Sequence, residues 1–101
     1  MRIIVYFDLP VETTEDRRQY STFRRYLISQ GFIMIQKSVY SKIALNASAA
    51  DTVKTNLRAN RPKSGNVMVL SISERQFQNM EVLVGERQNE IIDTLDRFVV
   101  L

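Results

Sequence analysis

Apolar and polar positions fall into blocks along this chain, and the period changes from block to block. "RIIVYFD", residues 2–8, sets five apolar or aromatic residues between an arginine and an aspartate. A short continuous run rich in β-branched and aromatic residues predicts a strand buried on both faces. After Pro10 the period becomes helical. Thr13 or Thr14 can cap, Glu15 and Asp16 sit in the positive first turn, and Gly31 supplies a left-handed stop. Tyr20, Phe23 and Leu27 form the apolar stripe expected of a helix that covers a sheet, flanked by Arg17, Arg18, Arg24 and Arg25.

"FIMIQKSVYSKIAL", residues 32–45, is strand-like except at Gln36, Lys37 and Ser38. Those polar residues read equally as a tight reversal between two short strands or as a bulge in one long strand. A second helix is expected next, capped by Asn46 or Ser48, turning Ala50, Val53 and Leu57 inward and stopping before Pro62. Lys54, Arg58 and Arg61 recur along its other side as a positive row. The turn "RPKSGN" releases "VMVLSIS" as a buried strand, and a further strand is expected between Phe77 and Val84, broken by Gly85.

The order β-α-β(β)-α-β-β predicts an α+β fold, a ferredoxin-like sandwich with an antiparallel sheet and two helices on one face. Four apolar residues, "FVVL", close the chain and are expected to be tied to a sheet edge. They return to the edge of their own sheet or, the favoured reading because the polar stretch 86–94 is long enough to reach across, add a C-terminal strand to a neighbouring copy, which makes a homodimer. The expected division is a ferredoxin-like domain over 1–84 and a linker with a dimerisation strand over 85–101.

Composition narrows the chemistry. At 101 residues and 45% hydrophobic content the chain makes one domain whose thin core leaves room only for shallow or shared sites. With no Cys and no His, disulfides, thiolate nucleophiles, cysteine-ligated zinc or iron–sulfur centres and the commonest general base are excluded. Carboxylate ligation remains, which suits magnesium, manganese or calcium. The leading apolar run is too short for a signal peptide or a membrane span, so the expectation is a cytoplasmic protein with no membrane partner.

The formal charge of +3 conceals a segregation along the chain. Residues 17–63 carry ten bases against Asp51 alone, whereas residues 1–16 and 74–101 each sum to −3. Such a block points to a polyanion, nucleic acid first, or to a solvated face balanced in space by the acidic ends. Asp8, where the first strand ends, is the one candidate for chemistry. The plain alternative is an Asx-type hydrogen bond capping the "DLP" turn.

Taken together, "IIVYFDLP", the Arg-rich first helix, "GFIMIQKSVYSKI", "VMVLSIS", "VLVGER" and the terminal "FVVL" resemble the CRISPR-associated Cas-two family over essentially the whole chain. Within it, "VYFDLP…GFIMIQKSVY" is similar to members from systems with a Cas-nine-type (type II) effector. The resemblance implies small ferredoxin-like homodimers, described both as metal-dependent endonucleases for RNA or double-stranded DNA and as the centre of the complex that integrates new spacers, held between dimers of the CRISPR integrase (Cas-one family). By position, Asp8 takes the place of the family's metal-binding aspartate, catalytic and metal-ligating, with one Mg2+ or Mn2+ shared between the two Asp8 of a dimer. Many relatives have Tyr directly before that Asp; here Phe7 stands there and Tyr6 is two residues upstream. Ser38 and Tyr40 match a Ser-Val-aromatic segment whose hydroxyls can orient water or touch phosphate; a strand turn with Tyr40 packed is the other reading. Arg17, Arg18, Arg24, Arg25, Lys37, Ser38 and Tyr40 are the expected nucleic-acid contacts. A non-catalytic DNA-binding scaffold of the integration complex is the alternative to a nuclease.

Overall fold

The computed structural model describes residues 1–86. Its elements are β1 (Arg2–Asp8), α1 (Thr14–Ser29), β2 (Ile33–Gln36), β3 (Val39–Ile43), α2 (Ala47–Ala59), β4 (Asn66–Ile72) and α3 (Glu74–Gln78). The four strands form one sheet in the order β2-β3-β1-β4, with every neighbouring pair antiparallel. This is the expected ferredoxin-like α+β arrangement, with β1 between β3 and β4.

Strand alternation divides β1 between two environments. Ile3, Val5 and Phe7 enter the core with Phe23 and Leu27 of α1 and Ala50 and Leu57 of α2, so both long helices cover that face. Phe7 is the hub of an aromatic group. Its ring meets Tyr20 and Phe23 edge-on at 5.9 and 5.2 Å and lies nearly parallel to Tyr40 at 5.9 Å. Such pairs add to the burial term, and truncating an aromatic at this kind of site costs about 3–5 kcal/mol.

Local chemistry fixes where each helix starts and stops. Thr13, not Thr14, caps α1: its hydroxyl accepts from the Asp16 N–H at 3.0 Å, and its own N–H donates to the Asp16 carboxylate at 3.2 Å. At the other end Phe32 N–H donates to the Leu27 carbonyl and Gly31 N–H to that of Ile28, with Gly31 at φ +89°. That double closure needs a left-handed residue, which glycine adopts freely. Asn46 caps α2 by accepting from the Ala49 N–H at 2.8 Å.

The two readings of residues 36–38 both have a counterpart. Lys37 and Ser38 make a tight turn between β2 and β3, and the register also slips between Met34 and Gln36. Ser38 carries the turn in the left-handed region at φ 65°.

The strand expected between Phe77 and Val84 is not formed within the described residues. Ser73 instead opens a helical turn, accepting from the Gln76 N–H while its own N–H donates to the Gln76 side chain. This reciprocal cap overrides the β-propensity of the residues that follow, and 79–86 hold no strand or helix. The expected linker and dimerisation strand lie almost wholly outside the described residues.

α3 docks on the face of the sheet opposite the long helices. Arg2 alternates with Ile3 onto that face and is 5% exposed. Its guanidinium donates to both Glu74 oxygens, at 2.9 and 2.5 Å, and lies 3.9 Å from the Phe77 ring centroid. These hydrogen bonds, foremost, and the Arg2 charge hold the Glu74 carboxyl below its ordinary value against a smaller opposing effect of burial. A depressed folded-state pKa stabilises the protein fully above about pH 4.5, and the contribution is lost as pH falls through the folded value. Glu74→Gln is therefore expected to lower stability at neutral pH by about 1–2 kcal/mol, less than for a fully buried pair because Glu74 is half exposed. In urea titrations the gap to wild type should narrow as pH falls below about 4.5; a gap independent of pH would show that Arg2 is held by something else.

Candidate nucleic-acid interface around Asp8

β1 delivers Asp8 to a defined place. Alternation puts its side chain on the face away from α1 and α2, beyond Tyr6 and in register with Asn66 of β4. The side chain is exposed and accepts no hydrogen bond from the described residues, so the Asx-type cap of the "DLP" turn is not made. Its main chain is held firmly. The Phe7 N–H donates to the Ser38 carbonyl at 3.0 Å, and Leu9 is buried just beyond.

Gly65 secures the other side of the strand exit. A Cβ built at Gly65, whose φ is +88°, would stand 2.8 Å from the Asp8 carbonyl oxygen and 3.1 Å from the Leu9 Cα. Only a residue without a side chain allows the α2–β4 connection to press against β1 this way. Sequence reasoning missed this contact, although a glycine directly before a strand was a visible signal for close backbone approach.

The other expected site residues divide into three groups. Arg17 lies near the start of α1, which follows β1 directly, and its guanidinium donates to the Val11 and Glu12 carbonyls at 3.1 and 3.0 Å. Arg18 is beside it, paired with Glu15 at 3.3 Å. Lys37 is exposed and Ser38 half-buried in the β2–β3 turn, whose carbonyl meets Phe7 at the same sheet end. Arg17, Arg18, Lys37 and Ser38 thus gather at the end of the sheet where Asp8 emerges. Arg24 and Arg25 do not. They sit two turns further along α1, about 10 Å away in helix rise, with Arg25 donating to the Ser21 carbonyl.

Tyr40 requires a correction. It is 2% exposed and stacks on Phe7, so its ring is part of the core and not of a contact surface. In register with Val5, it faces the long helices, away from Asp8.

The face that carries Asp8 is unusually apolar. Tyr6, Met68, Leu70 and Ile43, 38–54% exposed, surround Ile4 on it, and α3 covers only the Arg2 end. No cluster of three or more carboxylate, histidine or cysteine ligands occurs among the described residues. No helix among them is long and apolar enough to cross a membrane.

Comparison with known proteins gives consistent results. The family model described as "CRISPR associated protein Cas2" matches residues 1–80. A Treponema denticola protein named CRISPR-associated endoribonuclease Cas2 is 50% identical over 101 residues, covering all of both chains. A Streptococcus mutans protein of the same name is 46% identical over 101 residues, 100% of this chain and 93% of that one. The crystal structure of Streptococcus pyogenes Cas2 at pH 6.5 superposes with a TM-score of 0.61 at 16% identity, covering 83% of this chain and 100% of that one, which supports the fold.

Gly65→Ala tests how the Asp8 end is assembled. The added methyl meets main-chain atoms at a positive φ, so a stability loss of about 1–3 kcal/mol is expected in denaturant titration. Amide chemical shifts of Asp8 and Leu9 should move more than those of Arg24 and Arg25; unchanged shifts at Asp8 would mean that the contact does not position it.

Proposed function

The chain belongs to the Cas2 family of CRISPR-associated proteins, and from that membership we propose that it acts as a homodimeric, metal-dependent endonuclease that also binds duplex DNA during spacer acquisition. The observation that carries this reading is the placement of Asp8, an exposed carboxylate that accepts no hydrogen bond from the described residues, beside an apolar sheet face that they leave largely uncovered. A second copy seated face to face on Tyr6, Met68 and Leu70 buries those residues and brings a second Asp8 to the axis. The names of the relatives favour RNA as a substrate, and double-stranded DNA is the other.

The donor set fits magnesium or manganese and no softer metal. Each chain offers one hard oxygen ligand, so a dimer supplies two and leaves the remaining positions to water and phosphate. When bound, such an ion supplies an activated water and neutralises charge on the phosphodiester. The chain's own residues do the rest. Asp8 is anchored by Phe7 and Gly65, the apolar face around it excludes water once covered, and Arg17, Arg18, Lys37 and Ser38 hold backbone phosphates close by. Arg24 and Arg25 extend this contact along α1. Partnership with the CRISPR integrase in the cytoplasm is part of the same proposal.

A second reading, a DNA-binding scaffold without catalysis, is favoured by the imbalance of ten bases to one acid over residues 17–63 beside a single candidate catalytic acid. Asp8→Asn separates the two. Magnesium-dependent cleavage of RNA and duplex DNA is expected to fall to background while duplex affinity is unchanged. Wild-type protein that cleaves neither substrate across a range of pH and divalent ions would leave only the scaffold. Met68→Glu, placing a charge on the open face, is expected to convert the dimer to a monomer in sedimentation velocity and to lower cleavage with it. A Met68→Glu protein that remains dimeric would move the interface elsewhere.

A further inference from the structure

The end of α2 and the connection to β4 carry a positive cluster to which no role has yet been given. Arg58, Arg61 and Lys63, with Ala59 and Pro62, line an open concavity of about 410 Å³. It shares Arg58 and Arg61 with a narrower groove of about 150 Å³, floored by Leu57, Val67 and Val69 and rimmed also by Lys54. No acid lines either one, and none of these four cations has an ion-pair partner among the described residues. Two of them are held in place without being neutralised: Arg61 donates to the Arg58 carbonyl at 2.7 Å and Arg58 to the Thr55 hydroxyl at 3.4 Å.

Topology places this cluster at the end of the sheet where β1 finishes, on the side that α2 covers and opposite the face that carries the Asp8 side chain. α2 ends at Ala59, β4 begins at Asn66, and Asn66 pairs with Asp8. Between them Gly65 presses on the Asp8 carbonyl, so the connection cannot swing away from the strand exit. Three peptide units separate Lys63 from Asn66, a span of at most about 11 Å. Cations gathered at this sheet end without counter-charge among the described residues match a polyanionic backbone.

We propose that Arg58, Arg61 and Lys63, extended by Lys54, form a second phosphate-binding surface that grips a nucleic-acid backbone running past the sheet end at which β1 finishes. This rests on the nucleic-acid reading above and adds binding residues to it. From Lys54 to Arg58 the helix rises about 6 Å, and Arg61 and Lys63 continue the positive row into the α2–β4 connection. The guanidinium forks suit phosphate oxygens, and Leu57, Val67 and Val69 offer sugar faces an apolar floor. Binding here is to backbone and indifferent to base sequence. An acidic peptide would satisfy the same cations, but the forked guanidinium donors of Arg58 and Arg61 with an apolar floor beside them match a phosphate–sugar backbone.

The test uses the full chain in an Asp8→Asn background, so that no probe is cleaved. Arg58→Gln, Arg61→Gln and Lys63→Gln are combined, and anisotropy of a labelled duplex and of a single-stranded RNA is followed across a salt series. The slope of log affinity against log salt is expected to become shallower by about 2 to 3, close to 0.9 per lost phosphate contact on duplex. Arg58→Lys with Arg61→Lys, which keeps the charge, is expected to restore most of the slope and guards against misfolding. A glutamine variant with the wild-type slope, while the parent binds normally, overturns the proposal alone. Retained nucleic-acid slope with lost binding of a polyglutamate probe also overturns it, making the cluster a peptide site. A parent that binds neither probe at low salt defeats the nucleic-acid reading itself.

Discussion

The packing of Phe7 against Tyr20, Phe23 and Tyr40 is the constraint on which the rest of this molecule depends. It joins β1 to α1 and to β3 through one ring, and Asp8 follows that ring in the chain. A strand end in solvent ordinarily frays; this one cannot, because its penultimate side chain is locked in the core and its backbone is pinned by Ser38 and Gly65. The phenylalanine directly before Asp8 therefore has a clear physical role. Its value is the burial of a whole ring, which a hydroxyl in the same place would oppose.

Much of the fold was legible in the sequence, because the signals were local and strong. Five continuous apolar residues between Arg2 and Asp8 admit hardly anything but a buried strand, and the caps of α1 and α2 sit on the residue types that favour them. The errors are equally instructive. Residues 80–84 have strand-forming side chains, but the Ser73–Gln76 capping box directs the chain into a turn of helix first, and no partner strand is present among the described residues. Tyr40 was read for its hydroxyl, whereas counting alternation from Ser41 would have put it inward. Nothing in composition could have revealed that Arg2 turns to the open face and grips Glu74, 72 residues away, since that contact exists only after the sheet forms.

The candidate site was legible in kind but not in layout. Asp8 stood out because it ends the strand, and the bases stood out as a block, yet linear position said little about which of them would be neighbours. Folding sorts them by element direction. The start of α1, the β2–β3 turn and the end of α2 all fall at the end of the sheet where β1 finishes, while Arg24 and Arg25 are carried away along α1. A run of like charge in a sequence thus becomes a group at one end of the sheet, with a separate extension along α1.

The tight approach of Gly65 has one more consequence. What it touches at the strand exit includes the Asp8 carbonyl oxygen and the Leu9 Cα, atoms that every residue possesses. The location of position 8 is therefore a main-chain property, independent of the side chain displayed there. Reactive group and supporting frame are specified by different parts of the chain, so either can be altered, by evolution or by design, while the other stays where it is.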